Sequence, residues 1–180
     1  MGCFWCFKGP DINELVKRVR TNAEEFDLDS YKFSMLKLHN DLRQKYKSLE
    51  LKENKKLDEI ASTYAEFLVN NKNANKINIY NGEILGENII ISETKSPEEV
   101  FNQLLVENED YDFKENKFSK KTAHFTQIIW KNTTDIGCGF WADKENKKFY
   151  TVLLYYPSGN VLGKFPENIK DETIDVHKNS

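Results

Sequence analysis

One histidine of this chain stands where it can do chemistry. His124 lies in the run KKTAHFTQIIWKNTTDIGCGFW, inside HFTQIIW and among bulky apolar residues. An imidazole there can serve as general base, as metal ligand, or as a buried polar group held by a neighbour. Each role needs partners. A base needs a nucleophile to activate, and zinc wants three or four N, S or O ligands. The other histidines are His39 and His177, and the cysteines are Cys3, Cys6 and Cys138. No Cys/His spacing matches a zinc knuckle or ribbon. An odd cysteine count, with two in the first six residues, implies no disulfide framework.

A second chemistry is written at the start, MGCFWCFKGP. Once Met1 is removed, Gly2 can take a myristoyl chain, with Cys3 and Cys6 nearby for palmitoylation. The usual pattern has Ser or Thr at position six, where this chain has Cys6. The arrangement resembles the doubly acylated heads of Src-family kinases. One acyl chain holds a membrane marginally, and a second makes the attachment stable. Phe4, Trp5 and Phe7 add aromatic contact at the interface. The chain then turns charged, so no secretory signal is expected, and no apolar run is long enough to span a bilayer. A reducing cytosolic compartment follows as the expectation.

The elements that must position these groups read as follows. With 180 residues, 39% hydrophobic and 13% aromatic, the chain is expected to form one globular domain with arms at either end. A net charge of −3 shows no basic excess, so nucleic acid is not an expected partner. Residues 11–26 carry Ile12, Leu15, Val16, Val19 and Phe26 at helical spacing, with Lys17, Arg18 and Arg20 able to face an anionic membrane or the helix to pack on the domain. Residues 27–32 read as a polar link. Met35, Leu38, Leu42 and Tyr46 predict a helix over 34–47, and Leu57, Ile60, Ala61, Tyr64, Phe67 and Leu68 another over 55–71. Residues 72–82 read as a loop, and ILGENIII as an extended segment. Ser96-Pro97-Glu98-Glu99 is a capping-box start for a helix to about 109. The period of 123–131 fits helix or strand. IGCGFWA and FYTVLLYY around DKENKK form a hairpin signature, and Pro157-Ser158-Gly159-Asn160 a turn. Helices mixed with a hairpin predict an α/β layered domain. The expected organisation is an acylated arm with an amphipathic helix (1–32), the body (33–168), and a polar tail (169–180).

HNDLR (39–43), GEN (86–88), HFTQIIWKNT (124–133), IGCG (136–139) and YYPSGN (155–160) occur in the order seen in the CAP superfamily. These are the cysteine-rich secretory, antigen 5 and pathogenesis-related proteins. The resemblance covers about 33–168. Within the superfamily the chain is similar to the Golgi-associated plant pathogenesis-related branch, whose members are cytosolic, cysteine-poor and acylated at an N-terminal glycine. The resemblance implies an α-β-α sandwich with a central antiparallel sheet.

It also implies a cleft of two histidines and two glutamates that in many members holds a divalent metal, often zinc. Carried over by motif, these are Glu87 of GEN, Glu107 (or, in another register, Glu109) of the helix before Tyr111, and His124. The other histidine belongs in the loop about 73–78, where this chain has Asn73, Ala74, Asn75, Lys76, Ile77 and Asn78. His39 falls in the first-helix motif, where the family's histidine supports structure. One imidazole with two carboxylates makes a poor zinc site and leaves at most weak binding of a hard divalent cation. No cofactor is required, and zinc is expected to bind more weakly than about micromolar. The expected function is a non-enzymatic, membrane-tethered protein on the cytosolic face of Golgi or other endomembranes, with membrane lipids and a second copy of itself as candidate partners. The rival readings are a hydrolase using His124 and Glu107, and a protein-interaction module.

Overall fold

The computed structural model describes residues 26–71 and 78–171. The acylation residues Gly2, Cys3 and Cys6, all but the last residue of the helix expected over 11–26, loop positions 73–77 and the tail beyond 171 with His177 lie outside the described residues.

Helix α1 (Leu28–Lys45) starts earlier than its apolar spacing predicts. The polar link expected over 27–32 is instead its first turn. Asp27 caps it, its side chain accepting from Asp29 N and Ser30 N, and Tyr31 adds one more buried turn to the apolar stripe. That stripe runs Tyr31, Met35, His39, Leu42, Arg43; Leu38 is only partly buried. Phe26 stacks on Phe140 at 4.2 Å between ring centroids, tying the arm to the body just before the helix.

Helix α2 (Lys55–Asn70) matches its predicted face, burying Leu57, Ala61, Tyr64 and Ala65. A four-stranded sheet follows the order β1-β5-β6-β4. Its long strands β4 (Gly86–Ser92), β5 (Asp135–Asp143) and β6 (Lys148–Tyr156) pair antiparallel, and the two-residue β1 (Lys52–Glu53) pairs parallel to β5. The predicted hairpin is therefore the centre of the sheet. Strand alternation gives it two apolar faces. Val152 and Leu154 face α2, while Ile136, Cys138, Phe140, Leu153 and Tyr155 face the core that holds α1, α3 (Pro97–Leu105) and α4 (Ala123–Ile129). These layers make an α-β-α sandwich.

Gly137 and Gly139 of IGCG bring α2 that close. A Cβ on Gly137 would collide with the backbone of Leu57, and one on Gly139 with the backbone of Ala61. A side chain at either position would push the helix off the sheet, an overpacking that costs roughly 1–3 kcal/mol.

Within the span read as loop, Ile79–Tyr80 (β2) and Glu83–Ile84 (β3) form a short hairpin. Its turn is Asn81-Gly82, both at positive φ (51° and 80°), the pairing that two-residue hairpins prefer. Helix α3 ends at Leu105 and tightens into a 3₁₀ turn over Val106–Asp110, so the predicted helix to 109 changes type in its last turn. Ser96 caps α3 as expected, accepting from Glu99 N, but Ser96 N donates to Thr94 Oγ1 and not to the Glu99 side chain.

Candidate functional site

The ambiguous stretch 123–129 is helical, and α4 has only seven residues. A helix this short does not hold itself together in water, so its ends must be satisfied from outside. Its N-cap residue Thr122 makes no side-chain capping bond. Glu107 does that work from the 3₁₀ turn of 106–110. Its Oε2 accepts from His124 N at 2.9 Å and Phe125 N at 3.0 Å, and its Oε1 accepts from His124 Nδ1 at 2.6 Å. A carboxylate is the favoured group there, because the N–H groups at a helix start carry partial positive charge.

The other end of α4 is closed by Arg43, which reaches across from α1. Its Nη1 donates to Ile128 O and Trp130 O (both 2.8 Å), its Nη2 to Thr133 O (2.9 Å) and its Nε to Leu49 O (2.7 Å). Ser48 Oγ donates to Ile129 O at 2.8 Å. The guanidinium is fully buried, and burial lowers its pKa to about 10, so it stays charged at neutral pH.

The flank of α4 holds the turn that follows β6. Gln127 Oε1 accepts from Gly159 N at 2.9 Å, Thr126 Oγ1 donates to Asn160 Oδ1 at 2.6 Å, and Asn160 Nδ2 donates to Ala123 O at 2.8 Å. Gly86 and Gly159 leave room for the Gln127 amide, since a Cβ on either would strike it. Gln127 is buried, whereas His124 is part exposed.

Behind the helix runs a buried polar chain. His39 Nδ1 donates to Met35 O (2.7 Å), and its Nε2 accepts from Tyr155 OH (2.9 Å). The same hydroxyl accepts from Asn88 Nδ2 (3.1 Å), which also donates to His124 O (3.2 Å). His39 is thus a structural histidine, as the first-helix motif implies, and both its nitrogens are engaged.

Of the residues singled out by motif, the structure brings together His124 and Glu107. Glu109, the other register, is exposed. Glu87 makes its bond elsewhere, accepting from Asn78 Nδ2 at 3.4 Å. It neighbours Asn88 on β4, so the pleat turns its side chain to the opposite face from the amide that meets His124. Partial burial raises its carboxyl above the usual range, with the Asn78 bond opposing. Among the described residues no three His, Cys, Asp or Glu side chains gather around one point. Among the described residues the donor set does not fit the divalent metal that the resemblance implies: Glu107 is engaged by α4 and the His124 ring, Glu87 lies on the other side of the β4 pleat, and His124 Nε2 is left as a single imidazole donor where zinc wants three or four ligands. Among the described residues no serine, threonine or cysteine bonds to the His124 ring.

The geometry separates the two members of the pair. His124→Ala removes a contact whose imidazole side is 40% exposed, and such a pair contributes about 1 kcal/mol or less. Glu107→Ala removes the one side-chain cap seen among the described residues at the start of α4 and orphans two N–H groups, an expected loss of about 2–3 kcal/mol. Urea denaturation of the two variants checks the order; equal losses would mean that the imidazole contact, not the cap, is the stabilising part.

Arg43, Gln127, Asn88 and Tyr155 were not singled out as site-building residues from the sequence. A signal existed for Arg43: it falls four residues after His39 on the apolar stripe of α1, where a charge has to be buried.

Comparison with known proteins agrees with this frame. The model of the cysteine-rich secretory protein family, CAP, matches residues 36–155. The human Golgi-associated plant pathogenesis-related protein 1 is 33% identical over 138 residues, covering 75% of this chain and 89% of its own length. Protein PRY2 of Saccharomyces cerevisiae is 29% identical over 116 residues, 60% of this chain but 32% of that protein. Among solved structures, venom allergen-like protein 4 of Schistosoma mansoni superposes with a TM-score of 0.63 at 23% identity, over 71% of this chain and 88% of its own. NaASP2, in a crystal structure with Zn2+, superposes at 0.65 with 20% identity, over 84% of this chain and 92% of its own.

Proposed function

From a chain that belongs to the cysteine-rich secretory protein (CAP) family, we propose a non-enzymatic protein held on the cytosolic face of Golgi or other endomembranes by acylation of Gly2, Cys3 and Cys6. The observation that carries the non-enzymatic half is the position of Glu107. Its Oε2 caps α4 through two backbone N–H groups while its Oε1 holds the His124 ring, so the pair that looks like a base and its orienter serves first as a helix terminus. The tethering half rests on MGCFWC, which supplies one amine and two thiols for acyl chains. The name of the human relative supports a Golgi address, and membrane lipids are then the natural partners.

Gly2→Ala removes the first acyl chain and with it the membrane residence that palmitoylation needs. We expect the variant to move from the membrane pellet to the soluble fraction of cells, and Cys3→Ser with Cys6→Ser to leave only weak, reversible attachment. Full retention of Gly2→Ala on membranes would sink the tethering reading. A hydrolytic rate lost in both His124→Ala and Glu107→Gln, with folding intact, would sink the non-enzymatic one.

A further inference from the structure

A groove on the body runs out from the point where the described chain begins. Asp29, Lys32, Phe33 and Leu36 form one wall, at i, i+3, i+4 and i+7 along α1, on a different face from its core stripe. Ile136 and Cys138 of β5 form the floor, and Glu53 stands on the opposite wall, around a space of about 360 Å³. Phe33 is 68% exposed there, and Leu36 is partly buried. Phe140 is the next residue of β5 on the same side of the pleat. It carries Phe26, stacked at 4.2 Å between centroids. The floor of the groove therefore leads directly to Phe26.

Phe26 is also the last member of the apolar series Ile12, Leu15, Val16, Val19 and Phe26, whose spacing is helical. The end of that series is thus already seated on the body. Val19 lies seven helical positions back from Phe26, a rise of about 10 Å. Three strand positions back from Phe140 is Gly137, also about 10 Å away. The spacing sets Val19 over the floor, between Ile136 and Cys138. The charges match as well. Within the groove Lys32 and Asp58 satisfy each other at 3.1 Å. On the rim, no ion pair among the described residues engages Asp29, Glu53 or Lys55, which leaves negative charge in excess. The run LVKRVR (15–20) carries cations and no carboxylate. At about 100° per residue, Arg18 and Arg20 fall on the two flanks of its apolar side.

We propose that residues 11–25, which lie outside the described residues, dock as a helix in this groove. Val16 and Val19 cover Phe33 and the floor, while Arg18 and Arg20 meet Asp29 and Glu53. A helix of this length is marginal alone in water and needs such a surface to persist. Seated here, the arm keeps its apolar side off the bilayer and leaves membrane contact to the first ten residues. The docking goes beyond the tethering reading and does not depend on it.

The test uses full-length protein with Gly2→Ala, Cys3→Ser and Cys6→Ser, so acyl chains play no part and failure here leaves the tethering reading standing. In urea, Val16→Ser with Val19→Ser should lower the unfolding midpoint, and so should Phe33→Ser. Combined, they should lose less than the sum, because both remove the same contact. With Leu49→Ser, an exposed leucine elsewhere, the losses should add. In the same background, Phe33→Cys paired with Val16→Cys or with Val19→Cys should close a disulfide within one chain under mild oxidant. Leu49→Cys in place of Phe33→Cys should close it about tenfold more slowly or less, since docking raises the effective concentration of the first pair alone. An unchanged midpoint in the Val16 and Val19 variant, or simple additivity with Phe33→Ser, would overturn the proposal. So would disulfides that form between chains, which would put a second copy in the groove. Binding to phosphatidylserine vesicles that Val16→Ser with Val19→Ser abolishes, with no disulfide to Phe33→Cys, would assign the stripe to the membrane instead.

Discussion

Arg43→Met is expected to remove about 4 kcal/mol of folding stability, a large share of what a domain of this kind possesses. The loss comes from the acceptors and not from the arginine. Arg43 serves the carbonyls of Leu49, Ile128, Trp130 and Thr133, and each buried carbonyl left without a donor costs about 1–3 kcal/mol. Relief of the guanidinium's own desolvation offsets part of this, which is why the figure stays below the sum. Lysine keeps the charge but has no planar fork; Arg43→Lys should lose about half as much. Urea denaturation reads both, with the midpoint falling and the slope preserved. If Arg43→Met does not fold at all, Arg43→Lys still decides the matter. Wild-type stability in Arg43→Lys would mean that the fork geometry contributes nothing.

Arg43 also shows where sequence reading stops. The features that need only local chemistry were legible: the Ser96-Pro97 start of α3, the apolar face of α2, and the hairpin around DKENKK all sit where their patterns put them. Asn81-Gly82 was equally local, but the Asn- and Lys-rich stretch before it masked the turn signal and the short hairpin went unread. The start of α1 was missed for a different reason. Residues 27–32 are polar in composition, but Asp27 is a cap and Tyr31 belongs to the core, so tertiary packing adds a turn that composition does not suggest. IGCG was recognised as a motif without its cause, which is the approach of one backbone to another and exists only once α2 lies on β5.

The candidate site divides the same way. His124 and Glu107 carry motifs and were found; that the carboxylate faces two backbone N–H groups is a relation between segments seventeen positions apart in the chain, and no spacing rule expresses it. The same holds for Gln127 and Asn160, which make α4 and the 158–160 turn one unit. Glu87 shows the converse: its motif is intact, yet the pleat of β4 and the bond to Asn78 place it in a different environment from the pair.

His39 should make the domain acid-sensitive. It is fully buried, and desolvation, with Arg43 nearby, lowers its pKa from 6.5 to about 4 despite the Met35 bond. The neutral ring also fits its bonds, since Nδ1 donates to Met35 O while Nε2 accepts from Tyr155 OH. The unfolded chain therefore takes up a proton near pH 6.5 that the folded chain refuses until about pH 4. In that window the unfolded state binds more protons, so stability falls as pH falls, by up to about 3 kcal/mol from this group. Asp58 and Glu87 act in the opposite sense, since burial raises both carboxyls and their folded forms hold protons longer than the unfolded chain does. Their contribution falls above the ordinary carboxyl range and offsets part of the acid loss in the lower half of the window. A variant that cannot titrate isolates the histidine. His39→Gln keeps a side chain able to donate and accept, so it should fold, with its own cost roughly constant in pH. Chemical denaturation at intervals from pH 7.5 to 4 should then show the wild type's advantage over His39→Gln shrinking by about 3 kcal/mol. Parallel curves for the two proteins, or a His39 ring titrating near 6.5 by NMR, would show that the imidazole is not held neutral by this core.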